Sequence, residues 1–321
     1  MFNRRAWMLA AAAATAGHWS RDALALPPKQ LQFPRDFGSH LDLRTEWWYI
    51  TGHATSDKGR VFGFQVTFFR SRVEATQAMR SHFAAKQLVF AHTALTDLEG
   101  RTLLHDQRMA RTAGGQAFAS ETDTDLRLRN WSLVRRDGQY HALIAAEGFT
   151  LDLQFTPTQP VLLQGRSLVV KGMAWLDHEA SDALMHPEAV GWDWIGMNLD
   201  DGAALTAFHL RRADGSTLWA GGSLRTAAGV LRVFQANEVR FEAQSHWLSP
   251  HTQARYPTRW RVHTPAGSFT VQALLDDQEL DSRSSTGAVY WEGLSDLLGA
   301  QGQRVGRGYL EMTGYAAPLK L

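Results

Sequence analysis

The sequence contains no cysteine, so disulfides, thiolate metal ligands and cysteine nucleophiles are all excluded. It also lacks an excess of charge, since 33 Lys and Arg oppose 32 Asp and Glu and the formal net charge is +1. Without a basic block, nothing favours binding to nucleic acid. The 321 residues suffice for one large or two ordinary domains. A chain without disulfides must be held together by its hydrophobic core.

Several catalytic signatures are missing as well. The chain has no Gly-x-Ser-x-Gly nucleophile elbow, no phosphate-binding P-loop and no Gly-x-Gly-x-x-Gly after a strand. His178-Glu179 opens like the zinc-protease motif His-Glu-x-x-His, but Asp182 stands at the fifth position. A metal held by His178, Asp177 and His186 is a weak alternative. We predict neither a metal nor another cofactor.

The N-terminus has the three parts of a secretory signal: a basic start, a short apolar centre and an Ala-x-Ala end at residues 23–25. Arg4 and Arg5 precede bulky apolar residues, as in a twin-arginine signal. The alanine-rich centre is too short to span a membrane, and no later apolar run is long enough. We therefore expect a periplasmic or secreted protein, without a transmembrane segment, after removal of residues 1–25.

Strand patterns dominate the rest of the chain. Apolar and polar residues alternate over 62–68 and again over 149–155, and turn signals separate the patterned stretches. Only residues 71–84 suggest a helix. Many short strands at this spacing predict an all-β fold of antiparallel sandwiches or barrels.

A domain boundary is predicted near the middle of the chain. Pro157, Pro160 and Gly165 interrupt the strand patterns there. The N-terminal domain is then expected over residues 26–165 and the C-terminal domain over residues 166–321.

The residues after this boundary combine acids with aromatic rings. On a strand, Trp175, Asp177 and Glu179 face one side and His178 faces the other. If the first side is buried, loss of water raises the carboxyl pKa, and a neutral acid beside an indole can donate a proton. That chemistry protonates an isolated carbon–carbon double bond. The structural alternative is that Asp177 bonds to a backbone turn or pairs with an arginine.

Other acidic and aromatic residues are candidates for ligand contacts, although the rings could equally be core residues. The candidate ligand-binding residues are Glu46, Trp47, Trp48, Trp192, Trp194, Trp291 and Glu292. An extended segment over 192–194 places Asp193 opposite both indoles, so Asp193 is expected to pair with a neighbouring strand or loop. Residues 276–279 are predicted to form a solvated loop.

Seven short motifs occur in order along the chain, at residues 46–52, 64–70, 174–179, 191–194, 277–279, 290–293 and 308–315. Together they resemble the AttH-like proteins related to carotenoid 1,2-hydratases, which are often labelled secreted hydrolases. The resemblance implies two lipocalin-like antiparallel β-barrel domains packed together. It also implies export and an ABC-type transporter permease as a partner.

The resemblance implies a mechanism too. The carotenoid hydratases add water across a terminal double bond by protonation and capture of the carbocation by water. Their aromatic-x-Asp-His segment matches Trp175, Asp177 and His178, which implies Asp177 as the proton donor and Trp175 as a cation-stabilising wall. The chain departs from the family near Gly165, where a strand or hairpin is missing and an open sheet edge is expected.

Three functions remain open at this level. The first is an exported protein that binds an apolar lipid or isoprenoid. The second is a hydratase or hydrolase that acts on such a ligand with Asp177 as its acid. The third is a non-enzymatic partner of an envelope transporter.

Overall fold

The structure, a computed structural model, describes residues 31–158, 166–170, 172–181 and 185–319. The predicted export signal and the shortened segment next to Gly165 lie outside these ranges. The described chain forms two large antiparallel sheets, and its helical pieces are two short 3-10 turns, Arg35–Phe37 and Glu74–Thr76. Within the described ranges, no helix has the length and hydropathy of a membrane-spanning segment.

The first sheet has eleven strands. They are β1 (Thr45–Thr55), β2 (Val61–Arg72), β3 (Gln87–Asp97), β4 (Thr102–Arg111), β5 (Ala117–Ala119), β6 (Asp125–Leu128), β7 (Trp131–Arg136), β8 (Gln139–Ala145), β9 (Thr150–Pro157), β10 (Arg166–Val170) and β11 (Gly172–Ser181). Their order is β4-β3-β2-β1-β11-β10-β9-β8-β7-β6-β5, so the last strand of the sheet pairs with the first. Strands β10 and β11, which follow the boundary predicted at residue 165, belong to this sheet.

The second sheet has ten strands with a similar arrangement. They are β12 (Gly191–Leu199), β13 (Ala204–Arg211), β14 (Thr217–Arg225), β15 (Leu231–Phe234), β16 (Arg240–Leu248), β17 (Arg255–Thr264), β18 (Gly267–Ala273), β19 (Glu279–Ser282), β20 (Ala288–Leu298) and β21 (Arg304–Thr313). Their order is β15-β14-β13-β12-β21-β20-β18-β17-β16, with β19 paired to β20. Again the last strand, β21, pairs with the first, β12.

The local sequence explains the first hairpin. The turn between β1 and β2 closes through Ser56, whose carbonyl accepts from the Gly59 amide at 3.0 Å, and Gly59 has a φ of 78°.

The helix predicted over residues 71–84 is wrong. Strand β2 continues through Arg72, and the backbone amide of Val73 then bonds to a carbonyl near the start of β3.

Each sheet curls around its own hydrophobic core. The first core takes buried residues from distant strands of the curled sheet, such as Val89 of β3 and Leu133 of β7. The second core does the same with Leu205 of β13 and Val262 of β17. The all-β, lipocalin-like prediction is therefore confirmed. Among the described residues, however, no hydrogen-bonded pairing joins β4 to β5 or β15 to β16, so the ladders close neither sheet.

The edges of the first sheet are β4 and β5 rather than strands beside Gly165. Strand β10 pairs with both β9 and β11, so the open edge expected near Gly165 does not form there. The outer faces of the two sheets meet along β1, β2, β3 and β11 on one side and β12, β20 and β21 on the other. We call this contact the seam.

Candidate active site

The first-sheet side of the seam places an acid beside two aromatic rings. Tyr49 of β1 and Asp177 of β11 are direct cross-strand partners, and Trp175 lies two residues before Asp177 on the same face. The opposite face of β11 carries Leu176, which enters the first core. Alternation along β11 is therefore as the sequence predicts, and Asp177 faces the second sheet.

The second-sheet side presents a row of three side chains. Trp194 of β12 is paired with Glu311 of β21, which is paired in turn with Glu292 of β20. Glu292 is only 3% exposed and Glu311 is partly buried. Two carboxylates directly opposite each other repel, so at most one of them is readily ionised.

Three contacts join the two sides. The hydroxyl of Tyr49 donates a hydrogen bond to Oε1 of Glu292. The ring of Trp194 makes edge contacts with Tyr49, at 5.7 Å between centroids, and with Trp175, at 5.9 Å. Gly196 permits this packing, because a Cβ there would lie 2.3 Å from the Trp194 ring. The acids and rings of both sheets thus form one site.

The carboxyl groups of the seam have raised pKa values. Burial raises the pKa of Asp177 to about 6. Burial and the charge of Asp177 raise the pKa of Glu311 to about 7, although the Trp192 indole opposes this by donating to Glu311 Oε1 at 3.1 Å. Burial and the charge of Glu311 raise the pKa of Glu292 well above its ordinary value. The site therefore holds exchangeable protons near neutral pH.

Glu179 extends this row of acids towards solvent. Its residue surface is largely exposed, yet the surrounding protein and the charges of Asp177 and Glu311 raise its pKa to about 8. Trp47 of β1 is its cross-strand partner and lies on the same face. Glu179 and Trp47 therefore border the site rather than form its centre.

Unused polar atoms collect in the seam. Trp175 Nε1, Gln65 Oε1 and Glu292 Oε2 are buried and have no hydrogen-bond partner in the described part of the chain. Buried polar groups in proteins nearly always have partners, so such groups call for an explanation. They leave one indole donor, one amide acceptor and one carboxyl oxygen available in the seam.

Three of the predicted ligand residues lie elsewhere: Glu46, described below, and two tryptophans. Trp48 enters the first core, where its Nε1 donates to the Phe37 carbonyl at 3.1 Å. Trp291 enters the second core, and its Nε1 donates to the Asp276 carbonyl at 2.6 Å. Both point inward because each alternates with a seam residue of its strand. The structure does not bring either indole to the site.

Glu46 and His178 belong to a polar network inside the first sheet. Glu46 Oε1 accepts from His40 Nδ1 at 2.7 Å and from His178 Nε2 at 3.0 Å, while Oε2 accepts from Arg70 Nε at 3.0 Å. Burial opposes ionisation of Glu46, but the hydrogen bonds from His178 and His40 outweigh it and lower the pKa of Glu46 to about 2. His40 Nε2 also lies 2.8 Å from Asp36, so both ring nitrogens of His40 face carboxylates.

This network is the group among the described residues whose geometry could hold a metal. Ligand atoms of His40, Glu46 and His178 lie within 4.8 Å of one another. However, both oxygens of Glu46 already accept hydrogen bonds, including one from the buried guanidinium of Arg70. A positive group against the same carboxylate disfavours a cation, and we interpret the cluster as an ion-paired structural network.

The second sheet contains a related network. Asp193 of β12 accepts from Arg211 Nε at 2.9 Å and from the Tyr315 hydroxyl at 2.9 Å, and His209 Nδ1 lies 3.1 Å from the same carboxylate. Asp193 is fully buried on the core face. The expectation that Asp193 pairs with a neighbouring strand, away from both flanking indoles, is confirmed.

The prediction of a solvated loop over residues 276–279 is wrong for its last two residues. Gln278 is fully buried and Glu279 is 8% exposed. Glu279 accepts from the Tyr256 hydroxyl at 2.9 Å and from Thr252 Oγ1 at 2.5 Å. An acidic run looks solvated in sequence, but these hydroxyl groups supply the hydrogen bonds that allow burial.

Sequence reasoning missed Tyr49 and Glu311 as site residues. Tyr49 directly follows two tryptophans, and only the tryptophans were predicted to contact a ligand. Alternation nevertheless sets Tyr49 on the face opposite Trp48. Glu311 stands between Leu310 and Met312, which both enter the second core. An acid between two core residues on a strand was the available signal.

Known proteins share this architecture. A crystal structure of an AttH protein from Nitrosomonas europaea is 42% identical, with a TM-score of 0.82, and the match covers 91% of this chain and 100% of that one. Kievitone hydratase from Nectria haematococca has the same fold at 13% identity, with a TM-score of 0.66 and coverage of 89% and 93%. A comparison with curated protein sequences gives no match.

The model of the AttH-like family matches residues 24–169 and again residues 163–315. Two consecutive matches agree with the two sheets of similar topology. The resemblance drawn from the sequence motifs is confirmed, and this chain belongs to the AttH-like family.

Proposed function

We propose that the protein is a hydratase-type enzyme that adds water across a carbon–carbon double bond of an apolar ligand held in the seam. One observation carries the proposal: Asp177 faces the seam beside Tyr49 and Trp175, opposite the second-sheet row of Trp194 and Glu311. The fold shared with kievitone hydratase supports it.

The reaction divides into two proton-balanced steps. Asp177 gives its proton to one carbon of the double bond, so a C–H bond forms as the π bond breaks. The other carbon becomes a cation, which the faces of Trp175 and Trp194 stabilise. Water then forms a C–O bond with that carbon and loses a proton to the seam carboxyl groups. The net change is the addition of one water molecule.

The pKa of Asp177 suits this role. A general acid works best when its pKa lies near the working pH, and burial raises that of Asp177 to about 6. Buried hydrophobic residues line the interiors of both sheets, which supports the seam, rather than a barrel interior, as the ligand site.

The ligand class we propose is a lipid or isoprenoid with an isolated double bond. Large aromatic faces, contributed by Trp175, Trp194 and Tyr49, favour contact with an apolar chain. Export and association with an ABC-type permease are further proposals, which rest on residues 1–25 and on the family resemblance.

Labelled water tests the proposal. The purified protein is incubated in ¹⁸O-water with a panel of acyclic isoprenoids and prenylated aromatic compounds, and the masses of the products are measured by mass spectrometry. We expect the wild type to add one labelled water molecule, and Asp177→Asn to be at least about 100-fold slower. Asp152→Asn is the matched control, because Asp152 is exposed on β9.

Each result decides between the candidate functions. Incorporation by the wild type and its loss in Asp177→Asn support the hydratase. Saturable quenching of tryptophan fluorescence by the same compounds, without incorporation, would instead indicate a binding protein. Equal rates for wild type and Asp177→Asn would reject Asp177 as the acid.

A further inference from the structure

We infer that Glu292 and Glu311 carry only one proton between them, bound to Glu292, and that this pair is the base that deprotonates the attacking water. The inference rests on the proposed function for its catalytic part. Its geometric basis is independent, because Glu292 and Glu311 are direct cross-strand partners on β20 and β21, which sets their side chains on the same face of the sheet. The proposed function assigns no separate role to either member of this pair.

The surroundings of the two glutamates differ, and this difference determines which of them carries the proton. Glu292 is 3% exposed, Tyr49 donates to its Oε1, and its Oε2 has no partner among the described residues. Glu311 is partly buried and receives the Trp192 Nε1–H at 3.1 Å, which stabilises a negative charge. The proton therefore resides on Glu292, and Glu311 is the ionised member.

The groups that face the pair oppose a second negative charge. The charge of Asp177, on the first sheet, raises the pKa of Glu311. The charge of Glu311 in turn raises the pKa of Glu179. The buried hydroxyls of Tyr290 and Tyr309 lie close enough to Glu292 for its charge to raise their pKa values. These neighbours are acids or neutral phenols, so proton sharing is the route by which two facing carboxyl groups remain buried.

The pair completes the proposed reaction. As the C–O bond forms, Glu311 accepts a proton from the water, while Asp177 has already lost its proton to carbon. A proton then passes from the glutamate pair to Asp177 across the seam. This restores the starting charges, so alkene plus water gives alcohol with nothing else consumed.

Two unpartnered donors are available to the reacting oxygen in the seam. Trp175 Nε1 and a protonated Glu292 Oε2 each have one hydrogen bond to give, from opposite sheets. The oxygen of water, and then of the alcohol, can accept such a bond. This second observation is separate from the acidity of the cluster.

Infrared spectroscopy tests the shared proton without any substrate. We expect wild-type protein at pH 7.5 to show the C=O stretch of a neutral carboxyl group, reduced in Glu292→Gln and unchanged in Glu188→Gln, whose carboxyl is exposed. Gln at 292 still accepts the Tyr49 hydrogen bond, so the fold is expected to persist. An identical band in wild type and Glu292→Gln would overturn the inference.

A second variant guards against misfolding of the first. Glu311→Gln removes the charge that opposes ionisation of Glu292, so the neutral-carboxyl band should titrate away at lower pH than in the wild type. A titration at unchanged or higher pH would contradict the shared proton.

Activity separates the two proposals. In ¹⁸O-water, Glu311→Gln should lower incorporation at least about tenfold while ligand quenching stays as in the wild type. A wild-type rate in Glu311→Gln overturns the base role and leaves the proposed function intact. A wild type without any incorporation overturns the proposed function and the base role together, and the infrared band still decides the proton sharing.

Discussion

The hydroxyl of Tyr49 donates a hydrogen bond to Glu292 across the seam, and this bond joins residues 243 positions apart in the chain. Tyr49 is also the cross-strand partner of Asp177. One phenol therefore connects the acid of the first sheet to the glutamate pair of the second. The bond also satisfies an oxygen of a carboxyl group that is almost fully buried.

Tyr49→Phe should lower stability. The change leaves both oxygens of Glu292 without a described partner, and a buried polar group without a hydrogen bond costs about 1–3 kcal/mol. Urea unfolding at pH 6 measures the loss. In a double-mutant cycle with Glu292→Leu, whose side chain cannot accept the bond, we expect a coupling free energy of about 1 kcal/mol, whereas strictly additive effects would show that the bond contributes nothing.

Glu46→Gln should remove much of the acid sensitivity of the fold. The folded-state pKa of Glu46 is lowered from 4.5 to about 2, so its contribution is present above pH 4.5 and is lost as the pH falls towards 2. This amounts to about 3 kcal/mol. Guanidinium unfolding between pH 7 and pH 2 should show wild type and variant converging at low pH. The exposed Glu188→Gln is the control, and a constant difference at every pH would contradict the account.

Glu311→Gln should stabilise the protein in alkali. The pKa of Glu311 is raised from 4.5 to about 7 by burial and Asp177, so the fold is favoured below pH 4.5 and loses stability as the pH rises through 7. Removing this carboxyl should raise the unfolding free energy at pH 8 by about 1–3 kcal/mol and change little at pH 4. Glu147→Gln, at an exposed position, should show no such gain. Equal effects at both pH values would be inconsistent with a raised pKa.

Trp194→Leu should slow water addition more than it weakens the fold. The ring contacts both Tyr49 and Trp175, and a cation beside an aromatic face gains about 0.5–2 kcal/mol. The corresponding rate loss is about 2- to 30-fold. Trp219→Leu is the matched control, since Trp219 lies on β14 and is 37% exposed. Equal rates in the two variants would remove Trp194 from the site.

Period-two alternation made half of the site predictable from the sequence. It correctly placed Trp175 and Asp177 on one face of β11 with His178 behind them, and it set Asp193 apart from Trp194. Alternation is a local property of an extended chain, so it survives whatever the strand packs against.

The rest of the site depended on contacts between distant strands. The pairing of Glu292 with Glu311 follows from the register of β20 against β21, and the contact of Glu292 with Tyr49 follows from how the two sheets meet. Neither leaves a pattern within one strand. For the same reason Trp48 looked like a ligand residue, because a ring directed into the core and one directed into the seam are alike in sequence.

The pH dependence of water addition tests the central claim most directly. Asp177, with a pKa of about 6, must be protonated, and Glu311, with a pKa of about 7, must be ionised. The wild-type rate should therefore pass through one maximum between about pH 6 and 7 and fall on both sides, with apparent values that belong to the coupled cluster. Asp177→Asn should lose this maximum. An Asp177→Asn profile with the same height and maximum as the wild type would contradict an acid–base site in the seam.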